Sequence, residues 1–277
     1  MEIIKINLKE KYEFLGVDDR NPNLTCYLPR NLVEMGREDE MRPCILICPG
    51  GGYAGCSERE AEPIALKFLN WGFNAFVLRY SCAPHRYPTQ LREVAAAFEE
   101  IYANANEWHC DLTKVGVIGF SAGGHLVAHY SNAYNSDAVR EVFPESKKPN
   151  FAILAYPVIS ADETFAHKGS FVNLLGEYPV GDDVLKFSCE KLVSADTPPT
   201  FLWHTTTDQV VPVKNCLAYA AALADNNVQF SLHIYPYGEH GLSTVDHLTN
   251  NENRLDPKTL LAEGWLDEFK KWFDRTI

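Results

Sequence analysis

The chain has 277 residues, 46% of them hydrophobic, which is enough to bury the core of one large α/β domain or two small ones. Its net charge of −12 at pH 7 repels phosphate backbones and anionic lipid surfaces, so nucleic acid is not expected as a partner. Because there is neither an apolar run of about 20 residues nor an N-terminus resembling a signal peptide, we expect no membrane span, no export and a cytoplasmic location.

Eight cysteines are scattered along the chain without a Cys-x-x-Cys pair or a spacing typical of zinc sites. We interpret them as reduced and mostly buried small hydrophobic residues, which agrees with a cytoplasmic location. The sequence predicts no metal site and no cofactor.

Short apolar runs alternate with segments of helical periodicity, a pattern typical of an α/β fold with a mainly parallel sheet flanked by helices on both faces. Apolar residues recur on one helical face between residues 91 and 102, between 213 and 224, and at Leu261, Trp265, Phe269 and Trp272. No repeat or linker interrupts the pattern, so one domain is expected over residues 1–277. The predicted strands are residues 3–8, 24–28, 44–48, 75–79, 115–119, 152–155, 201–204 and 229–235.

Residues 160–199 form an irregular stretch of mixed polar sequence between two predicted strands. A lid or pocket-shaping insertion fits this stretch, and so does an ordinary connecting helix with its loops. The sequence leaves both interpretations open.

Three consecutive glycines at residues 50–52 directly follow the predicted strand 44–48. A turn without side chains can direct its backbone N–H groups at a developing oxyanion, so Gly51 and Gly52 are predicted donors, with the amide of Ala122 as a third. A glycine-rich turn without a ligand is the alternative. A phosphate-binding loop fits poorly, because no Lys-Ser/Thr pair follows the glycines.

The sequence Gly-Phe-Ser-Ala-Gly at residues 119–123 lies between the predicted strand 115–119 and the helix-like run 124–130. A nucleophile elbow has this form, because flanking side chains would collide with neighbouring backbone in the tight strand-to-helix turn. Ser121 is therefore the predicted nucleophile.

Asp208 lies in a polar loop after the predicted strand 201–204, and Pro212 is predicted to open the next helix. Because active-site groups of parallel sheets gather at the carboxyl ends of the strands, Asp208 is the predicted acid that orients the base. An aspartate that only caps the next helix is the alternative.

His240 follows the predicted strand 229–235 in the sequence Gly-Glu-His-Gly. A histidine in such a loop can swing its imidazole to the serine, so His240 is the predicted base. The three candidates occur in the order Ser121, Asp208, His240, which is the order found in hydrolases built on a nucleophile elbow.

Four other histidines are weaker candidates for a functional role. His204 and His247 are near the predicted site and are alternatives for lining its pocket. His125 and His129 are four residues apart on a predicted helix, but no third metal ligand is evident, so we interpret them as packing or surface residues.

In these four motifs the sequence resembles the α/β-hydrolase superfamily, and within it the esterase/lipase branch that includes acetyl-xylan and other carbohydrate esterases. The resemblance extends from about residue 24 to the C-terminus. It implies the α/β-hydrolase fold and a serine hydrolase of the carboxylesterase type, which forms an acyl-enzyme without a cofactor. It also implies a small ester substrate such as an acetylated sugar.

Two residues depart from that branch, Pro49 and Thr205, and Thr205 stands where related sequences often carry a glycine. Pro49 stands where a histidine commonly precedes the three glycines and is thought to brace the loop. The glycine loop must therefore be braced in another way in this chain.

Two other functions stay open at this point. The same three residues could cleave an amide, as in a formamidase or a small peptidase, because the fold does not decide the substrate. A non-catalytic binding module is the third candidate, although the intact set of Ser121, Asp208 and His240 argues against it. A homo-oligomer is compatible with the sequence, but no feature supports one.

Overall fold

The computed structural model describes residues 1–15 and 23–277, and in these ranges it has eight strands in one sheet. They are β1 (Glu2–Asn7), β2 (Asn23–Leu28), β3 (Arg42–Cys48), β4 (Asn74–Leu78), β5 (Cys110–Phe120), β6 (Phe151–Ala155), β7 (Thr200–Thr205) and β8 (Phe230–Tyr235). Their order across the sheet is β1-β2-β4-β3-β5-β6-β7-β8. The β1–β2 and β2–β4 pairs are antiparallel and the other five pairs are parallel, as predicted for a mainly parallel sheet.

Every predicted strand is present, with its ends displaced by a few residues. The central strand β5 differs most, because it begins at Cys110 and not at the predicted residue 115. Its first half is only partly buried, whereas residues 115–120 are fully buried. The prediction followed the apolar run and so found only the buried half.

Nine α-helices lie in the described ranges. They are α1 (Leu8–Lys11), α2 (Glu62–Asn70), α3 (Thr89–Ala103), α4 (Ala122–Ala133), α5 (Asp137–Arg140), α6 (Lys168–Leu175), α7 (Asp182–Phe187), α8 (Lys214–Asp225) and α9 (Trp265–Thr276). None of these helices is long and apolar enough to cross a membrane.

Helices cover both faces of the sheet. Buried side chains of α3, α4 and α8 form a core with one face, and those of α2 and α9 form a second core with the other. Successive side chains of a strand point into the two cores in turn, so Leu46 of β3 belongs to the first core and Ile47 to the second. Burial on both faces explains why the central strands read as continuous apolar runs. Seven of the eight cysteines are buried, as expected.

Two helix boundaries differ from prediction. Helix α8 begins at Lys214, because Pro212 lies in the preceding turn and accepts a hydrogen bond from Asn215 at 2.9 Å. Leu261 was expected on the face of α9, but it lies in a separate 3₁₀ turn, Thr259–Ala262, and is 55% exposed. Helix α9 begins at Trp265 with Gly264 as its N-cap, so Leu261 lies outside the helix.

Candidate active site

Ser121 lies between the end of β5 and the start of α4 with φ 52° and ψ −118°, a conformation that side-chain-bearing residues rarely adopt. The two glycines that flank Ser121 allow neighbouring backbone segments to pack closely against this turn. A Cβ at Gly119 would lie 2.2 Å from the carbonyl oxygen of Gly123, and one at Gly123 would lie 2.2 Å from that of Cys48. The strained turn is held by a hydrogen bond of 3.0 Å from the Ser121 N–H to the carbonyl oxygen of Ala155.

The structure brings the three predicted residues together in one chain of hydrogen bonds. The Oγ atom of Ser121 lies 2.7 Å from Nε2 of His240, and Nδ1 of His240 lies 2.6 Å from Oδ2 of Asp208. A carboxylate only accepts hydrogen bonds, so Nδ1 carries the proton and Nε2 is free to accept from the serine hydroxyl.

Asp208 follows β7 and uses both carboxylate oxygens. Oδ1 accepts the backbone N–H groups of Val210 and Val211 at 2.9 Å each, while Oδ2 faces His240 and also lies 3.3 Å from Nε2 of His204. Burial alone would raise the pKa of the carboxyl group, but the hydrogen bonds from His204 and His240 outweigh burial and hold the pKa well below its usual range. The side chain thus both caps the following turn and accepts a hydrogen bond from His240.

Gly51 and Gly52 form the turn after β3, with φ values of 132° and 63°. A glycine is required at position 51, because a Cβ there would lie 2.1 Å from the carbonyl oxygen of Gly55. Within residues 1–15 and 23–277, neither glycine donates its backbone N–H to a protein acceptor. The amide of Ala122, at the first position of α4, likewise has no acceptor within its own helix. All three amides are therefore available to an anion.

The glycine loop has three braces in place of the missing histidine. The hydroxyl of Tyr80 donates to the carbonyl oxygen of Pro49 at 2.6 Å, and Nδ2 of Asn173 donates to that of Gly52 at 2.8 Å. The carboxylate of Glu60 accepts the N–H of Gly50 at 2.8 Å. The sequence indicated none of these three side chains, because each is distant from the motif or lies in a stretch that reads as polar surface.

His167 is a further residue that the sequence analysis missed. It lies just before α6, in the 160–199 segment, and its Cε1 atom is 3.9 Å from where a Cβ of Gly52 would be. Nδ1 of His167 lies 2.8 Å from Oγ of the buried Ser170. Burial and the nearby His240 lower the pKa of His167.

The other candidate histidines differ in their burial and in their contacts. His204 is fully buried beside Asp208, whereas His247 is exposed. Of the packing and surface roles that the sequence left open for His125 and His129, the structure shows packing, because both rings are buried. Both nitrogens of His125 are engaged, by the hydroxyl of Tyr53 and the carbonyl oxygen of Phe187 at 2.9 Å each. The described residues contain no group of three side chains suited to hold a metal ion.

Comparison with known proteins gives consistent matches. The BD-FAE family model matches residues 27–223. The chain is 37% identical over 250 residues to endo-1,4-beta-xylanase B of Butyrivibrio fibrisolvens, covering 87% of this chain and 36% of that protein. It is 35% identical over 230 residues to an acetylxylan esterase of Xylanibacter ruminicola, covering 81% of this chain and 44% of that protein. The chain thus spans less than half the length of these two relatives.

Solved structures match over nearly the whole chain. An acetyl ester-xyloside bifunctional hydrolase from Caldicellulosiruptor lactoaceticus superposes with a TM-score of 0.83 at 36% identity, covering 98% of this chain and 96% of that chain. A carboxylesterase from Lactobacillus plantarum superposes with a TM-score of 0.83 at 26% identity, covering 99% and 98%. These matches confirm the predicted α/β-hydrolase fold, and the esterases among them bear out the predicted enzyme class, a carboxylic ester hydrolase.

Proposed function

Because the chain belongs to the BD-FAE family, we propose that it hydrolyses short-chain acyl esters with Ser121 as nucleophile, His240 as base and Asp208 as the acid that orients the base. The observation that carries this proposal is the continuous path from the serine Oγ through the imidazole to the carboxylate, with links of 2.7 and 2.6 Å. A serine hydroxyl is a weak nucleophile until a base takes its proton, and this path provides the base in position.

In the first half of the reaction, Nε2 of His240 takes the hydroxyl proton while Ser121 Oγ attacks the ester carbonyl carbon. The amides of Gly51, Gly52 and Ala122 stabilise the negative charge that develops on the carbonyl oxygen. His240 then gives its proton to the leaving alcohol, and the acyl group stays on Ser121.

In the second half, water takes the place of the alcohol. His240 takes a proton from the water as the water oxygen attacks the acyl carbon, and the same three amides stabilise the tetrahedral intermediate. His240 then returns the proton to Ser121 Oγ as the bond between Oγ and the acyl carbon breaks and the free acid leaves. Asp208 stays ionised throughout and stabilises the imidazolium form of His240 in both halves.

We further propose that the acyl group is acetyl and that the alcohol is a sugar or another small alcohol. The acetylxylan esterase and the acetyl ester-xyloside hydrolase among the relatives support this choice. The position of His167 also supports it, because its ring lies next to Gly52 and restricts the space on that side of the loop.

The first test is hydrolysis of p-nitrophenyl esters from acetate to decanoate by the wild type, Ser121→Ala and a matched control, Ser131→Ala. Ser131 is also buried, but its hydroxyl has no hydrogen-bond partner among residues 1–15 and 23–277, so its loss should leave turnover intact. We expect turnover of acetate and propionate that Ser121→Ala lowers by about 10⁴-fold or more. Activity that survives in Ser121→Ala would show that another residue is the nucleophile.

The second test separates the substrate classes. Acetate release from acetylated xylo-oligosaccharides is compared with cleavage of an aryl formamide and of a short peptide by the same enzyme preparation. Preference for the acetylated sugar supports the proposal. Faster cleavage of the formamide or the peptide would indicate an amide hydrolase with the same three residues, and failure of a fluorophosphonate probe to label Ser121 would indicate a binding protein.

A further inference from the structure

Glu60 is a carboxylate buried next to the candidate site, with 3% of its surface exposed. It ends the short 3₁₀ helix Glu58–Glu60, and each of its oxygens accepts one hydrogen bond. Oε2 accepts the N–H of Gly50 at 2.8 Å, and Oε1 accepts the hydroxyl of Tyr156 at 2.7 Å. Burial of a carboxylate is unfavourable unless its oxygens are hydrogen-bonded, so this position requires both donors.

The first of these bonds holds the glycine loop against the nucleophile. A Cβ at Gly50 would lie 2.7 Å from Oε2 of Glu60 and 2.9 Å from Cβ of Ser121. Only a glycine fits between the two side chains. The Glu60 carboxylate therefore determines how closely the loop that carries Gly51 and Gly52 approaches Ser121.

The second bond reaches the loop that carries His240. The hydroxyl of Tyr156 donates to Glu60 and accepts the N–H of Ser243 at 3.0 Å, and the ring of Tyr156 lies 5.1 Å from that of His240. Arg59, the preceding residue, donates to the carbonyl oxygen of Gly241 at 3.0 Å. The short helix is thus bonded to two residues that follow His240 in its loop, directly to Gly241 and through Tyr156 to Ser243.

We propose that Glu60 is a positioning residue that fixes the oxyanion glycines and the His240 loop relative to Ser121, through Gly50 on one side and Tyr156 on the other. This inference rests on the proposed function. A carboxylate suits the position because both partners are donors. The side-chain amide of glutamine has one accepting oxygen, so it can accept from Gly50 or from Tyr156 through that oxygen, and its NH2 group can only donate to the other position.

The test measures kcat and KM for p-nitrophenyl acetate, together with the melting temperature, in Glu60→Ala, Glu60→Gln, Tyr156→Phe and a control, Glu58→Ala. Glu58 is two residues away, 76% exposed and paired with Arg79, so its loss removes a neighbouring carboxylate without touching the loops. Displaced oxyanion donors act on the transition state, so Glu60→Ala should lower kcat by about 10- to 100-fold with KM changed less than about threefold. Glu60→Gln should recover part of that loss, Tyr156→Phe should show a smaller loss, and Glu58→Ala should match the wild type.

Several results would overturn this role. The first is a Glu60→Ala variant with kcat within about twofold of the wild type, and the second is one whose defect lies in KM alone. If Glu60→Ala does not fold, wild-type kcat in both Glu60→Gln and Tyr156→Phe would overturn the role equally. A wild type that neither hydrolyses esters nor reacts with a fluorophosphonate at Ser121 would overturn the proposed function and this role together.

Discussion

His204 and His240 share one oxygen of Asp208: Oδ2 lies 2.6 Å from Nδ1 of His240 and 3.3 Å from Nε2 of His204. Nε2 of His204 also lies 2.9 Å from the carbonyl oxygen of Val211, which can only accept a hydrogen bond, so this nitrogen carries a proton. His204 is fully buried and thus acts as a fixed second donor to the carboxylate.

Replacing His204 should weaken catalysis without weakening substrate binding. In His204→Phe, Oδ2 of Asp208 loses its second donor and the carboxylate is less firmly directed at His240, so we expect kcat to fall by about tenfold with an unchanged KM. His204→Gln keeps a side-chain N–H and should recover part of the rate. His247→Phe, which replaces an exposed histidine, is the control for loss of a histidine. Equal kcat values in His204→Phe and the wild type would contradict the prediction.

The glycine loop should tolerate an added methyl group at one position and not at another. Gly51→Ala places a Cβ 2.1 Å from the carbonyl oxygen of Gly55, so the loop must move and the donor amides with it. We expect at least about a hundredfold loss of kcat. At Gly55 itself an added Cβ meets no atom of the described residues within 4 Å, so Gly55→Ala is the matched control and should retain the rate and the melting temperature of the wild type. A fully active Gly51→Ala would remove this loop from the mechanism.

The loss of kcat in Gly52→Ala should lie between those of Gly51→Ala and Gly55→Ala. Its Cβ would meet only His167 and Ser170, at 3.9 and 4.0 Å, which are ordinary contacts, but φ is 63°. The left-handed conformation of a residue with a Cβ is unfavourable by about 1–2 kcal/mol, so the loss should appear in the free energy of unfolding more than in kcat. Urea denaturation beside the rate assay separates the two effects, and a rate loss as large as that of Gly51→Ala would contradict this order.

The sequence predicted the parts of the fold and site that depend on local pattern. Strands buried on both faces leave continuous apolar runs, and the elbow around Ser121 requires glycines that are visible in the sequence. Asp208 and His240 are candidates because each follows a predicted strand, and the structure places both within one chain of hydrogen bonds with Ser121. Helix α2 was not predicted, although Ile64, Ala65 and Phe68 form its buried face, because its nine residues give too few turns for a clear period.

The contacts between distant segments could not be predicted. Glu60 lies in the run Glu58-Arg59-Glu60, which reads as solvated surface, yet only its last member turns inward toward Gly50 and Tyr156. His167 lies in a segment without periodicity, and it reaches Gly52 only because α6 packs over the glycine loop. Such placements follow from tertiary packing, which overrides local composition.

Removing the ring of His167 should change the preference for acyl length. In His167→Ala the space beside Gly52 widens, and we expect the ratio of kcat/KM for butyrate to that for acetate to rise by about 5- to 20-fold. Lys168→Ala is the matched control, because Lys168 is the next residue, is exposed and pairs with Glu163. The measurement is the p-nitrophenyl ester series in both variants, and an unchanged ratio would show that His167 does not border the acyl group.

Acid should destabilise the protein through His125 and His129. Burial lowers the pKa of His125 to about 4 and that of His129 to about 3. Because these histidines bind protons more readily in the unfolded chain, stability is full above about pH 6.5 and declines as the pH falls toward the folded-state pKa values, by up to about 3 kcal/mol for His125 alone.

The ring of His129 is stacked 5.6 Å from that of Tyr87, so a phenylalanine can occupy its place. We therefore expect the melting temperature of His129→Phe to fall less than that of the wild type between pH 7 and about pH 4.5, because the proton-linked loss of stability at His129 is gone. Parallel curves for the two proteins over that range would show that His129 does not control the acid sensitivity.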